Sequence, residues 1–182
     1  ESDGHGLRTF STDAVVKRWQ LPKGTLEDTK RFKRRGDQRA ISGINSDGTR
    51  FAIAEYHIAQ LKIVEPIFGE ELATIATGDG VLTSIFSPDG KLVAAISDRN
   101  VSLCDAEMGK SFKRIAKQRL SVDRAMFSPD GETIAIAGGS YAGSEDRGML
   151  QLWDAETASK SRTLKGHLDI VYSIDFSPDG KR

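Results

Sequence analysis

Short runs of apolar residues alternate with turn-forming residues along the whole chain, in a pattern that repeats about every 42 residues. Each period is marked by an apolar residue followed by a Ser-x-Asp-Gly-like turn, as in residues 86–90. Proline supplies a φ of about −65°, aspartate caps the bend, and glycine accepts the positive φ of a tight hairpin. Each turn is therefore predicted to join two antiparallel strands.

The repeat is regular enough to indicate one structural unit used several times. The turn aspartates are 41 to 49 residues apart, a spacing typical of a repeated supersecondary unit. The copies, of which the first is shortened, lie at residues 2–4, 44–48, 86–90, 127–131 and 176–180.

Within each period the apolar runs predict four strands of about 4 to 8 residues. One precedes the turn, as at 171–176, two follow it, as at 92–97 and 101–104, and a fourth comes last, as at 161–164. No stretch has sustained helical periodicity. The prediction is an all-β protein: a β-propeller arc over residues 1–182, with about four blades that are each a four-stranded antiparallel sheet.

Individual residues resemble the WD40 repeat family. The family's Trp-Asp and Gly-His dipeptides are matched near the end of the chain, and its Ser, Asp and Trp spacing is matched near the start. These residues are Trp153, Asp154, Gly166 and His167, and then Ser11, Asp13 and Trp19. The resemblance implies that such side chains hold the strands and turns of a blade together through hydrogen bonds.

The middle copies depart from the family pattern. Counting back from each turn, the position of His167 is occupied by Gln118, Thr77 and Arg35. The position of Trp153 is occupied by Cys104 and Val64. We therefore expect these blades to depend on apolar packing more than on a buried polar network.

The resemblance implies a non-catalytic scaffold for protein–protein interaction rather than an enzyme. Serine, histidine and aspartate also serve hydrolases, but the chain has no nucleophile elbow and no recognisable oxyanion hole. A different class stays open: an accessory or sensor propeller of a larger peptidase, kinase or TolB-like periplasmic component, since such propellers also carry Ser-Pro-Asp-Gly turns. The Trp-Asp and Gly-His dipeptides favour WD40.

Composition gives no sign of a charged partner, a cofactor or a metal. Basic and acidic residues both number 26, so the formal net charge is zero and neither nucleic acid nor a membrane is favoured. The three histidines are scattered, so no metal site or cofactor is expected. No apolar run is long enough to span a bilayer and no signal peptide is recognisable. We expect a cytoplasmic protein, unless a signal precedes this sequence.

Two segments are candidate partner sites. Residues 30–39 hold six basic side chains, among them Arg34 and Arg35, against one acid. These basic residues predict a solvated edge strand, with the binding of an acidic ligand or nucleic acid as the weaker alternative.

Residues 138–148 lengthen one period by about seven residues and predict a surface loop. The resemblance to WD40 repeats implies that both segments lie on the face that carries the Gly-His turns. The candidate binding residues are Arg34, Arg35, Gln118, Tyr141, Glu145, Asp146, Arg147 and Tyr172.

The two ends of the chain fall at the same point of the repeat. Four blades are fewer than the seven usual in WD40 proteins, so we expect a piece of a larger propeller. Residues 171–176 have the composition to pair with residues 7–11, within one chain or between two, or the pairing is absent. Open blade edges predict that the chain alone self-associates.

Overall fold

The computed structural model describes residues 6–11, 15–31, 41–65, 70–108, 111–115, 121–140 and 147–181. In this part of the chain nearly all regular structure is β, interrupted by a single turn of 3-10 helix at Tyr56–Ile58. The strands are β1 Gly6–Ser11, β2 Val15–Gln20, β3 Thr25–Arg31, β4 Ile41–Ile44, β5 Phe51–Glu55, β6 Gln60–Val64, β7 Glu71–Ala76, β8 Thr83–Phe86, β9 Leu92–Ile96, β10 Val101–Asp105, β11 Ser111–Ile115, β12 Ser121–Phe127, β13 Thr133–Gly139, β14 Gly148–Asp154 and β15 Lys160–Thr163.

The strands form four antiparallel sheets in which sequence neighbours pair. Blade A contains β1, β2 and β3, and blade B contains β4 to β7. Blade C contains β8 to β11, and blade D contains β12 to β15. The predicted all-β fold of four-stranded blades is thus confirmed, with three strands described for blade A.

Each blade has a front face and a back face, and consecutive blades pack back to front. The front face carries the third residue after each turn glycine, and the back face carries the fourth. Front-face residues are Leu7, Phe51, Val93 and Ile134, and back-face residues include Ala52, Ala94 and Ala135. Because both faces of blade C are covered, β9 is continuously apolar.

The core lies between the blades. Leu61 and Ile63 on the back face of blade B pack in one cluster with Val93, Ala95 and Cys104 on the front face of blade C. The back face of blade C packs in the same way on blade D, in a cluster that contains Val101, Leu103, Ile134, Ile136, Met149 and Trp153. Blade A contributes Val16 to a smaller cluster with Phe51 and Val64.

The prediction of a strand at residues 171–176 is wrong, because the structure has no strand there. The segment carries no ladder in the structure, because the neighbouring blade D is already complete and β13 is paired on both sides by β12 and β14. At the start of the segment Val171 N donates to Gly138 O at 3.1 Å. No ladder joins the segment to β1 in the described part of the chain.

Candidate interaction site

The Ser-x-Asp-Gly turns share one hydrogen-bond pattern. Ser87 Oγ donates to Asp89 Oδ1 at 2.6 Å, and Gly90 N donates to Ser87 O at 2.9 Å. Asp89 Oδ1 also accepts from Lys91 N at 3.1 Å. Residues 128–132 and 177–181 repeat the pattern, and the glycines at 90, 131 and 180 all have φ between 69° and 79°. The turn chemistry predicted from sequence is therefore present.

Neighbouring turns contact each other and form what we call the turn face. Ser46 Oγ donates to Pro88 O at 3.0 Å, which joins the turn of blade B to that of blade C. The side chain of Arg50 reaches the same turn at Gly90 O, at 3.4 Å, and pairs with Glu107 at 3.1 Å. The turns thus interlock from one blade to the next.

Acid is expected to destabilise the fold through these turns. The serine hydroxyls that donate to Asp89 and Asp130, followed by the backbone N–H bonds, hold the pKa of both carboxyls below the ordinary 3.8. A lowered folded-state pKa stabilises the protein above the unfolded-state value, and this contribution is lost as the pH falls through the folded-state value. Thermal unfolding followed from about pH 5 to pH 2 should show the midpoint falling below about pH 4.

Asp89→Asn tests the cause of this acid sensitivity. The amide cannot titrate, so the variant should lose less stability than the parent between about pH 4 and pH 2. Asp98→Asn, an exposed carboxyl in a loop of the same blade, is the control and should follow the parent. Equal acid dependence in Asp89→Asn and the parent would contradict the assignment.

The strand register shows that the tryptophan positions of the four blades are structurally equivalent. Trp19 lies opposite Leu7 and Trp153 opposite Ile134. Cys104 lies opposite Val93, as Val64 lies opposite Phe51. The partner in each case is the third residue after the turn glycine, so the departures from the family pattern occur at one structural position.

The two tryptophans satisfy their indole N–H groups differently. Trp19 Nε1 donates to Thr9 Oγ1 across the strand pair, at 2.9 Å. The position equivalent to Thr9 in blade D is Ile136, which offers no acceptor, so Trp153 Nε1 donates instead to Gln151 on its own strand, at 3.1 Å. Sequence reasoning singled out neither acceptor. Asp13 lies outside the described residues, and of Ser11 only its place in β1 is described.

At two other positions of the family pattern, Asp154 and Thr77 make hydrogen bonds to nearby backbone. Asp154 Oδ1 accepts from Thr157 N and Thr157 Oγ1, both at 2.6 Å, and so caps the turn before β15. In blade B, Thr77 occupies the histidine position and donates its hydroxyl to Ala59 O at 2.7 Å. Gly166, with a φ of 134°, and the exposed His167 begin the segment that returns toward blade D.

The side of the molecule opposite the turn face carries the connections at 56–59, 77–82, 97–100 and 164–170, together with Ser140 and Arg147 at the base of the β13–β14 connection, and we call it the loop face. Large apolar side chains are exposed here. Ile58 is 59% exposed, Leu82 57%, Leu168 79% and Tyr172 56%. Leu82 and Tyr172 are equivalent positions, each four residues before the phenylalanine of a turn. Aligning the repeats on that phenylalanine would have found Leu82 from sequence.

The predicted insertion meets the Gly-His segment. Ser140 N donates to Arg147 O at 3.1 Å and closes the base of the loop, and Val171 N reaches Gly138 O. A Cβ at Gly139 would lie 2.9 Å from Ile170 Cα, so the base of the loop and residues 166–171 are in direct contact. Of the candidate binding residues, Arg147 and Tyr172 are described and exposed. Arg34, Arg35, Gln118, Tyr141, Glu145 and Asp146 lie outside the described residues.

The described residues contain no group of three or more histidine, cysteine, aspartate or glutamate side chains that could hold a metal ion. No helix in the same part of the chain is long and apolar enough to cross a bilayer.

Four antiparallel blades, packed back to front and joined by periodic turns, define a β-propeller arc. Two stretches of the chain are WD40 repeats: the family profile described as "WD domain, G-beta repeat" matches residues 69–105 and 158–182. The hydrazine synthase structure from Kuenenia stuttgartiensis superimposes with a TM-score of 0.69 and 17% identity, over 98% of this chain and 51% of that one. This likeness concerns the fold alone.

Curated relatives match parts of the chain, and one of them is named for its WD repeats. A WD repeat-containing protein of Synechocystis sp. is 30% identical over 96 residues, which are 53% of this chain and 26% of that protein. The nuclear distribution protein PAC1 of Arthroderma benhamiae is 33% identical over 92 residues, 50% of this chain and 20% of the relative. Apoptotic protease-activating factor 1 of Danio rerio is 28% identical over 101 residues, which are 55% of this chain and 8% of that protein. The chain thus matches only a small part of each relative.

Proposed function

We propose that the chain is a non-catalytic scaffold that binds a protein or peptide on its loop face. One observation carries the proposal. Of the five large apolar side chains in the described residues that are more than half exposed, four belong to the loop face. Exposed apolar side chains that gather on one surface mark interaction sites. The fifth, Met108, projects from the β10–β11 turn on the opposite side.

The surroundings of these side chains suit a peptide better than a strongly charged ligand. Arg99 and Asp98 lie on the loop between β9 and β10, and Arg147 and Asp169 border the Gly-His segment. Exposed apolar side chains together with charges of both signs are typical of the composition of a protein interface. The loops stand on blades whose contact faces are buried, so little ordering of the frame accompanies binding.

A displayed peptide library tests the proposal and supplies the ligands for it. Clones selected on the immobilised chain are measured against Leu82→Asp and Tyr172→Asp, with Met108→Asp as the matched control. Each loop-face change should weaken binding about tenfold or more, because a buried apolar anchor becomes a desolvated charge. The control should bind as the parent does. The proposal would be refuted by peptides that bind both loop-face variants as tightly as the parent and fail to bind Met108→Asp. Such a result would place the site on the turn face.

The non-catalytic part of the proposal rests on the roles of the signature residues. The described serine, threonine and aspartate side chains of the turns are engaged in hydrogen bonds that shape the backbone. WD40 repeats generally mediate protein–protein interaction, which agrees with this use. A reaction catalysed by the purified chain and abolished by one substitution at a described residue would overturn this part.

A further inference from the structure

An acidic side chain lies between two of the exposed apolar side chains of the loop face. Leu82, Asp123 and Tyr172 occupy equivalent positions, each four residues before the phenylalanine of a turn. All three are exposed, Leu82 by 57% and Tyr172 by 56%. They belong to three successive repeats, just before β8, near the start of β12 and in the segment 171–176. The middle position of the three is therefore the acidic one.

Backbone hydrogen bonds bring the first two positions together. Leu82 N donates to Ile96 O at 2.8 Å, and Val122 N donates to Asp98 O at 2.7 Å. Both acceptors lie at the loop between β9 and β10. This loop thus contacts Leu82 on one side and the residue before Asp123 on the other.

Gly138 makes the corresponding link to Tyr172. It lies opposite Val122 in the β12–β13 ladder, and its carbonyl oxygen accepts from Val171 N at 3.1 Å. Asp123 follows Val122, and Tyr172 follows Val171. The acidic side chain is therefore flanked by a large apolar side chain on each side.

A β-bulge sets Asp123 apart from the ladder. The register passes from Val122, opposite Gly138, to Arg124, opposite Ala137, so the ladder skips Asp123. Bulges re-aim side chains and are frequent next to active sites. Glycine at position 138 permits this bulge, because a Cβ there would overlap the backbone of β12. The exposed position of the carboxylate is thus built into the strand pair.

The carboxylate of Asp123 is not neutralised by a contact within the described residues. Two other carboxylates of the loop face are engaged. Asp98 pairs with Arg99 at 3.5 Å, and Asp169 Oδ1 accepts from Ile170 N at 2.8 Å. In the part of the chain that the structure describes, Asp123 makes neither an ion pair nor a side-chain hydrogen bond. A cation on a bound partner would therefore meet an available acceptor.

We propose that the loop face selects peptides in which a lysine or arginine is flanked on both sides by apolar residues. The inference rests on the proposed function, since it names the partner class of that same surface. The apolar side chains pack on Leu82 and Tyr172, and the cation pairs with Asp123 between them. The flanking contacts exclude water from the ion pair and so strengthen it. Arg124 lies one residue further from the loop-face end of β12, so the carboxylate is the nearer charge.

Binding measurements with peptides selected on the parent test the charge pairing. Asp123→Asn should weaken binding about fivefold or more and make the affinity less sensitive to salt, because the ion pair is lost. Asp98→Asn changes the net charge equally, at a carboxylate already paired with Arg99, and should bind as the parent does. Replacing the basic residue of the peptide by glutamine should weaken binding to the parent and have little effect on Asp123→Asn.

Charge reversal separates this inference from the proposed function. Asp123→Lys, verified as folded by circular dichroism, should prefer peptides in which glutamate replaces the basic residue. If Leu82→Asp and Tyr172→Asp weaken binding whereas Asp123→Asn does not, the inference is overturned and the proposed function stands. Selected peptides that carry an acidic residue and lose affinity in Arg124→Gln would overturn the inference as well. If none of these changes alters binding, both the inference and the proposed function fail.

Discussion

Trp153→Ala is expected to lower the free energy of unfolding by about 3 to 5 kcal/mol, the range for removal of a large buried aromatic side chain. Trp153 is 6% exposed and lies in the cluster that joins blades C and D, with Leu103 and Ile134 among its members. The truncation leaves a cavity inside an interface, and the surrounding strands cannot close it because both sheets are held by ladders. Urea titration followed by circular dichroism measures the change.

Gln151→Ala is the matched control for this prediction. It removes the acceptor of the Trp153 indole N–H and leaves the ring in place, so the cost should be about 1 kcal/mol. If Gln151→Ala costs as much as Trp153→Ala, the hydrogen bond rather than the packing of the ring holds this interface. If neither costs more than about 0.5 kcal/mol, the assignment of Trp153 to the core is refuted.

Gly138→Ala is expected to cost about 1 to 3 kcal/mol, and more if the strand pair cannot shift. A Cβ at this position would overlap Ser121 O and lie 3.0 Å from Asp123 N, both backbone atoms of β12. Because the obstacle is backbone, no side chain can rotate away from it. Thermal unfolding followed by circular dichroism reports the loss of stability.

The control for Gly138 is a glycine with open space. Gly24 lies in the turn between β2 and β3 with a φ of 67° and has no atom within 4 Å of a built Cβ. Gly24→Ala therefore measures the conformational cost alone, about 1 to 2 kcal/mol for an L-residue in this region. NMR distinguishes the two variants. Gly138→Ala should shift the NMR signals of β12, whereas Gly24→Ala should not. Unshifted β12 signals in Gly138→Ala would contradict the close approach.

The elements that could be predicted from sequence are those that depend on local chemistry. The turn at 86–90 has its proline, aspartate and glycine in adjacent positions, and the hydrogen bonds among them are made within five residues. The tryptophan positions follow because the strands that flank each turn have nearly constant length. Val64 and Cys104 therefore take the place expected from counting along the chain.

What sequence reasoning missed depends on neighbours that a single strand does not encode. Residues 171–176 have the apolar pattern of a strand, but strand formation also requires a partner edge, and none is described for them. The acceptor of Trp19 is set by the register between β1 and β2, which places Thr9 within reach. Such features follow from tertiary packing rather than from residue type.

The two sides of the arc differ in how much change they tolerate. On the turn face, Ser46 and Arg50 contact the next blade at positions that depend on turns of fixed length, so an inserted residue would break a contact with the neighbour as well as the turn itself. On the loop face, β13 and β14 keep their register from Thr133–Asp154 to Gly139–Gly148 although the connection between them is long. A longer β13–β14 connection is thus compatible with an unbroken ladder between these two strands. New recognition surfaces can therefore arise in evolution on the loop face, while the turn face maintains the contacts between neighbouring blades.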